Sequence, residues 1–156
     1  MEILPFNAEL TVYLPAIDAE HLQIHSTVEE LHAAIAAQSG PRRMEGLLRR
    51  LAQEVADHFA HEERLMRVSH YSEYGWHKRQ HATARRGVDE LVSQFRPADR
   101  ASLSLALESL AGWLSYHISV ADNMVSAHIR NYEREYGIRQ KTGAPRRVKR
   151  PQGHTA

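Results

Sequence analysis

Apolar side chains recur every three or four residues through four long stretches of this chain, at about residues 17–37, 43–67, 75–94 and 100–136. This period places the apolar side chains on one face of a helix, whereas a half-buried strand would alternate. Breaks of about 4–8 residues separate the stretches, and such short connections make consecutive helices neighbours. We therefore predict an all-α fold, an antiparallel up-down-up-down four-helix bundle, with an extended N-terminal arm lying over one end.

The composition fits one soluble domain and narrows the chemistry that the domain can carry. The chain has 156 residues, a net charge of +1 and no cysteine. Disulfides, iron–sulfur clusters, cysteine-ligated zinc and a thiol nucleophile are therefore excluded. It also contains 11 histidines. Any bound metal must be held by imidazole and carboxylate.

The last eighteen residues differ from the rest, because residues 139–156 contain six Lys and Arg residues and no acid. We predict a bundle domain over residues 1–138 and a disordered tail over 139–156. A solvated tail without a binding role is favoured over contact with an anionic partner, and no nucleic acid is expected. No signal peptide or membrane span is predicted, which favours a cytoplasmic monomer or weak oligomer.

Seven side chains of metal-ligand type stand on helix faces that should be apolar. They are His21, His58, Glu62, His77, His81, His117 and Asp122. Two pairs among them are spaced four residues apart, so each pair lies on one face, one turn apart. In an antiparallel bundle all seven fall at one depth near one end. Packing roles would require seven separate polar partners, whereas shared ions satisfy them together.

Five imidazoles and two carboxylates exceed the three protein ligands of a catalytic zinc, so two ions fit better. Iron, zinc, copper and nickel all accept imidazole, and the identity stays open from composition alone. The sequence lacks HExxH, and its one Glu-x-x-His string, Glu29–His32, lies outside the ligand layer. Neither a zinc protease nor a ferritin-like site is therefore indicated.

His117 and Asp122 are five residues apart, which places them about 140° from each other around a regular α-helix. Both can face the same ion only if the helix widens between them. We therefore predict a local π-helical turn, which aligns residues i and i+5.

Four sequence segments resemble the hemerythrin family, in particular its bacterial single-domain members. They are IDAEH, HFAHEERLM, HKRQH and WLSYHISVAD, and the resemblance covers roughly residues 6–125. It implies a non-haem di-iron centre that binds dioxygen reversibly at an open position on one iron. The implied ligands are His77, His81 and His117 for one iron and His21 and His58 for the other, with Glu62, Asp122 and a solvent-derived oxo or hydroxo group bridging both.

Four positions depart from the pattern of this family. Phe6 stands where tryptophan is usual near the start of the arm, which is a mild change. Tyr13 stands where glycine is usual, and His25 and Ala84 stand where phenylalanine is common. The last two are expected to line the oxygen pocket, with less apolar bulk to exclude water. His25 is either a packing residue or a group that reaches the bound ligand.

The expected role is oxygen carriage or storage without enzymatic turnover. Two alternatives remain: an oxygen or redox sensor that acts through a partner, and an enzyme that turns over peroxide or nitric oxide. Four other histidines are expected to face solvent. They are His61, His70, His128 and His154.

Overall fold

The computed structural model describes residues 3–4 and 10–137, and within these ranges the chain is helical without strands. The α-helices are α1 Pro15–Ala36, α2 Pro41–Val68, α3 Tyr74–Gln94, α4 Arg100–His117 and α5 Asn123–Tyr132. A π-helical turn, Ile118–Asp122, joins α4 to α5, and a second one, Glu133–Gly137, follows α5. The fourth predicted helix therefore corresponds to α4, the first π turn and α5, and the four-helix bundle is confirmed.

The ends of the helices follow from local chemistry. Pro15 and Pro41 occupy the first turns of α1 and α2, where the missing N–H has no helical partner to lose. Before α4, the Asp99 side chain accepts a hydrogen bond from the Ser102 backbone N–H at 3.1 Å. Asp99 thereby satisfies one of the free N–H groups at the N-terminus of α4.

Contacts between α1 and α2 run in opposite directions along the two helices. Gln23 donates to Glu54 at 3.1 Å, and Glu30 accepts from Arg50 at 2.7 Å. The residue numbers rise along α1 while they fall along α2, as in an antiparallel pair. This arrangement brings the start of α1 beside the end of α2.

Most of the buried apolar side chains lie away from the predicted ligand layer. They include Val28, Leu31, Met44, Leu48, Leu51 and Leu107, each fully buried. Full burial of such a side chain stabilises the fold by about 1.5–3 kcal/mol. None of the described helices combines the length and apolarity needed to cross a membrane.

The described part of the N-terminal arm lies along α1 and not only over one end of the bundle, which corrects the sequence-based expectation. The Ile3 and Leu4 N–H groups donate to Glu29 near the middle of α1, and the Val12 N–H donates to Asp18 near its start. The three carboxylate contacts at these points hold the arm to α1. Residues 5–9 of the arm and the predicted tail, 139–156, lie outside the described residues.

Candidate metal centre

The helix widens where the sequence predicts it. Residues Ile118–Asp122 form a π turn, and both His117 and Asp122 are buried. The Nε2 atom of His117 lies 3.0 Å from Oδ1 of Asp122, so the two side chains face the same point. The predicted π turn is confirmed.

The structure brings all seven predicted side chains into two adjoining groups. One group contains Glu62, His77, His81, His117 and Asp122, and the other contains His21, His58 and Asp122. Within each group the potential ligand atoms lie within 4.8 Å of one another, and each side chain is at most 2% exposed. We call them the five-donor group and the three-donor group. Asp122 belongs to both.

Ring nitrogens converge tightly in the five-donor group. His77 Nε2 lies 2.9 Å from His81 Nε2, and these nitrogens lie 2.9 and 3.2 Å from Glu62 Oε2. Two imidazole nitrogens and a carboxylate oxygen therefore converge on one small volume. Such a set suits a cation.

The charges in the centre also favour a cation. Burial opposes ionisation of Asp122, but His117, His21 and His77 outweigh it and hold the pKa of this carboxyl well below its usual value. The pKa of Glu62 is lowered against burial and the charge of Asp122, because His77 and His81 hydrogen-bond to it. Burial disfavours the charged form of His77, yet the two carboxylates raise its pKa to about 9.

Several buried polar atoms in the centre have no hydrogen-bond partner among the described residues. They are both ring nitrogens of His21, Nδ1 of His77, Nε2 of His117, both oxygens of Asp122 and Oε1 of Glu62. A buried polar atom left unsatisfied costs about 1–3 kcal/mol. Metal ions coordinated by the imidazoles and carboxylates would satisfy most of these atoms together, so the donor set fits a metal centre.

The outer ring nitrogens of three ligand-type histidines bond to further side chains. The sequence analysis did not identify these partners. Glu20 accepts from His58 Nδ1 at 3.0 Å, Glu63 from His81 Nδ1 at 3.3 Å, and Gln80 from His117 Nδ1 at 3.2 Å. Partners of this kind fix the ring tautomer and orientation of metal-bound histidines. Polar residues at helix surfaces are common, and no spacing rule marks these three.

Two histidines that were expected to face solvent are engaged instead. The Nδ1 atom of His61 lies 2.6 Å from Glu20 Oε1. The half-buried His128 donates to the Ser69 carbonyl at 2.7 Å. His70 is exposed as expected, and His154 lies outside the described residues.

His25 and Ala84, the two predicted pocket residues, lie next to the centre in different places. His25 is half-buried on α1, one turn after His21, and belongs to neither donor group. Ala84 lines a cleft of about 590 Å³ between α3 and α4, which Trp113 also lines. The Trp113 ring also stacks on the ligand-type His117, with centroids 4.4 Å apart, so this ring lies between the cleft and the donor group. Their contact with oxygen stays a prediction.

A helical bundle that holds buried imidazoles and carboxylates in two adjoining groups defines a metal-binding protein. The family model of the hemerythrin HHE cation-binding domain matches residues 13–129, and the chain therefore belongs to the hemerythrin family. No curated protein and no solved structure matches it significantly.

The family pattern also explains the strained backbone at Tyr13. This residue has a φ of 61°, in the left-handed region that favours glycine. Glycine is the residue usual in the family at this position. In this chain the Arg130 guanidinium lies 5.7 Å from the centre of the Tyr13 ring, a cation–π contact.

Proposed function

We propose that this protein binds dioxygen reversibly at a non-haem di-iron centre and serves in oxygen carriage or storage. The observation that carries the proposal is the unequal division of donors between the two groups. The three-donor group consists of His21, His58 and Asp122. A group with only three protein donors leaves positions on its ion open for a small ligand.

The arrangement of carboxylate oxygens supports a bridged pair of ions. Glu62 Oε2 points toward His77 and His81, while its Oε1 has no hydrogen-bond partner among the described residues. Asp122 belongs to both groups, and its Oδ1 lies near His117 while its Oδ2 lies near His21. Asp122 thus offers one oxygen to each donor group, and Glu62 would bridge through its unbonded Oε1. One iron would be held by His77, His81 and His117, the other by His21 and His58.

When bound, such an iron pair supplies electrons that dioxygen takes up on binding and returns on release. The side chains of this protein hold the pair in place and keep water away from it. Phe59 stacks on His81 with ring centroids 3.9 Å apart, and Trp113 covers His117. These aromatic rings and the near-complete burial of the donors exclude bulk water. Exclusion of water favours reversible binding, because side reactions such as proton leakage are suppressed.

The composition of the donor set favours binding without turnover. Five imidazoles and only two carboxylates surround the centre. A nitrogen-rich set stabilises highly oxidised iron less well than the carboxylate-rich sets of ferritin-like proteins, which place a Glu on each of two helices and Glu-x-x-His motifs on two others. We therefore propose a carrier and not an enzyme.

The test is metal analysis of protein purified without added metal, followed by optical spectra during an oxygen cycle. We expect two irons per chain, and a spectrum that changes when the reduced protein meets air and returns when oxygen is removed. His58→Ala removes a donor from the three-donor group alone, so it should abolish the oxygen response and keep one iron. His70→Ala changes an exposed histidine and should behave as the wild type.

Two results would contradict the proposal. A single ion per chain would remove the pair on which the argument depends. Steady consumption of peroxide or nitric oxide in the presence of a reductant would identify an enzyme.

A further inference from the structure

The carboxylate of Glu20 lies between two histidines of the neighbouring helix. Its Oε2 is 3.0 Å from Nδ1 of His58, and its Oε1 is 2.6 Å from Nδ1 of His61. His58 and His61 are three residues apart on α2, so both rings reach the same side of α1. His58 is buried, whereas the side chains of Glu20 and His61 are 29% and 22% exposed. The contact therefore runs from the buried metal centre to the protein surface.

Glu20 bonds to the ring of His58, and the orientation of this ring decides whether the three-donor group can hold an ion. Its bond to Nδ1 of His58 leaves the lone pair of Nε2 free for an ion. Among the described residues, neither nitrogen of the other imidazole in this group, His21, has a hydrogen-bond partner. The three-donor group thus depends on Glu20 for the orientation of one of its two rings.

We propose that Glu20 is a positioning residue that sets how tightly the three-donor group holds its ion, and that His61 keeps Glu20 in place. This inference rests on the proposed function, because the group is the one assigned there to the iron that binds dioxygen. A partly exposed carboxylate with one bond would be free to turn into solvent. The second bond, from His61, holds it against His58.

The charge of Glu20 matters in addition to its geometry. Its two oxygens each accept one bond, Oε2 from His58 and Oε1 from His61, which is the bonding pattern of an ionised carboxylate. A carboxylate that accepts the Nδ1 proton makes Nε2 a stronger donor to a metal, and loss of such a partner typically costs about 10–100-fold in metal affinity.

The experiment uses zinc as a redox-inert probe, titrated into the full chain after chelation, so that no oxygen chemistry is required. We expect the three-donor group to be the weaker zinc site and the five-donor group the tighter one. In Glu20→Ala the affinity of the weaker site should fall by about 10–100-fold, while that of the tighter site should be nearly unchanged. Glu20→Gln keeps an acceptor but not the charge, so its loss should be smaller. His61→Ala should also weaken this site, and His61→Asn should restore it because the amide donates from a similar position.

Glu30→Ala is the matched control, because Glu30 also lies on α1 and bonds to α2 through Arg50 at 2.7 Å, away from the centre. It should leave both zinc affinities unchanged. Nitrogen NMR supplies a second measurement on the chelated protein. At a pH high enough to leave the His58 ring neutral, the ring should carry its proton on Nδ1 in the wild type and lose this preference in Glu20→Ala.

Equal weakening of both sites in Glu20→Ala, or no weakening, would overturn the inference. So would an unchanged His58 tautomer in that variant. If the wild type binds one zinc only, the proposed two-ion function fails, and the tautomer measurement alone decides the role of Glu20. If Glu20→Ala does not fold, Glu20→Gln, which has the same size, replaces it in each comparison.

Discussion

Removing the metal should lower the unfolding temperature of this protein, and the size of the decrease depends on how many ions the two donor groups hold. The ligand-type residues extend from His21 to Asp122, so the unfolded chain does not gather them around an ion. Binding to the folded state alone stabilises it by about 2.7 kcal/mol for each ion present at 100 times its dissociation constant. Two ions therefore contribute about 5 kcal/mol. For a chain of this length this corresponds to about 10–20 °C in unfolding temperature.

The assay is differential scanning calorimetry of the full chain, chelated and metal-loaded. His58→Ala removes a donor from the three-donor group only, so the metal-dependent rise in its unfolding temperature should be about half that of the wild type. The shift within each variant is compared, because the substitution itself also leaves a cavity. A wild-type shift of only a few degrees, or a full shift in His58→Ala, would refute the assignment of two separate donor groups.

Three smaller changes test other parts of the structure. Leu107 is fully buried, so Leu107→Ala should reduce the free energy of unfolding by about 2–5 kcal/mol in urea melts. The control is Leu105→Ala, at a side chain that is 66% exposed, which should change this free energy by less than about 0.5 kcal/mol. Asp99→Ala removes the bond to the Ser102 N–H and should cost about 0.5–2 kcal/mol in the same melts. His25→Phe adds apolar bulk one turn from His21 and should slow autoxidation, measured as the decay of the oxygenated spectrum in air; an unchanged rate would exclude a role for His25 at the ligand.

The sequence predicts that the ligand-type side chains converge, because the regular geometry of helices determines their positions. Spacing by four places His77 and His81 on one face, and spacing by five requires the π turn that the structure shows between His117 and Asp122. Both predictions depend on angles along a single helix. They needed no knowledge of the neighbouring helices.

The outer partners of the histidines were missed for the opposite reason. Whether Glu20 meets His58 and His61 depends on the distance and rotation between α1 and α2, and on the side-chain rotamers chosen there. A glutamate on a half-exposed helix position is usually solvated, so its residue type carries no signal. The bond of His128 was missed for a similar reason, because its partner is the backbone carbonyl of Ser69 at the end of α2, which no residue type marks. The path of the arm along α1 also depends on the two part-buried bonds that Glu29 accepts from Ile3 and Leu4, which no periodic pattern reveals.

The donor groups also account for the way α3 is held in the bundle. The buried residues of α3 are His77, His81 and Val88, so Val88 is its one fully buried apolar side chain. By contrast, α2 buries seven apolar side chains besides His58 and Glu62. Helices in proteins owe most of their stability to packing of an apolar face, and α3 has little of it. Beyond its partly buried apolar side chains, such as Leu91 and Val92, attachment of this helix depends on the contacts of His77 and His81, and an ion bound there would tie α3 to α2 and α4. Loss of metal should consequently loosen α3 before the apolar half of the bundle around Leu48 and Leu107.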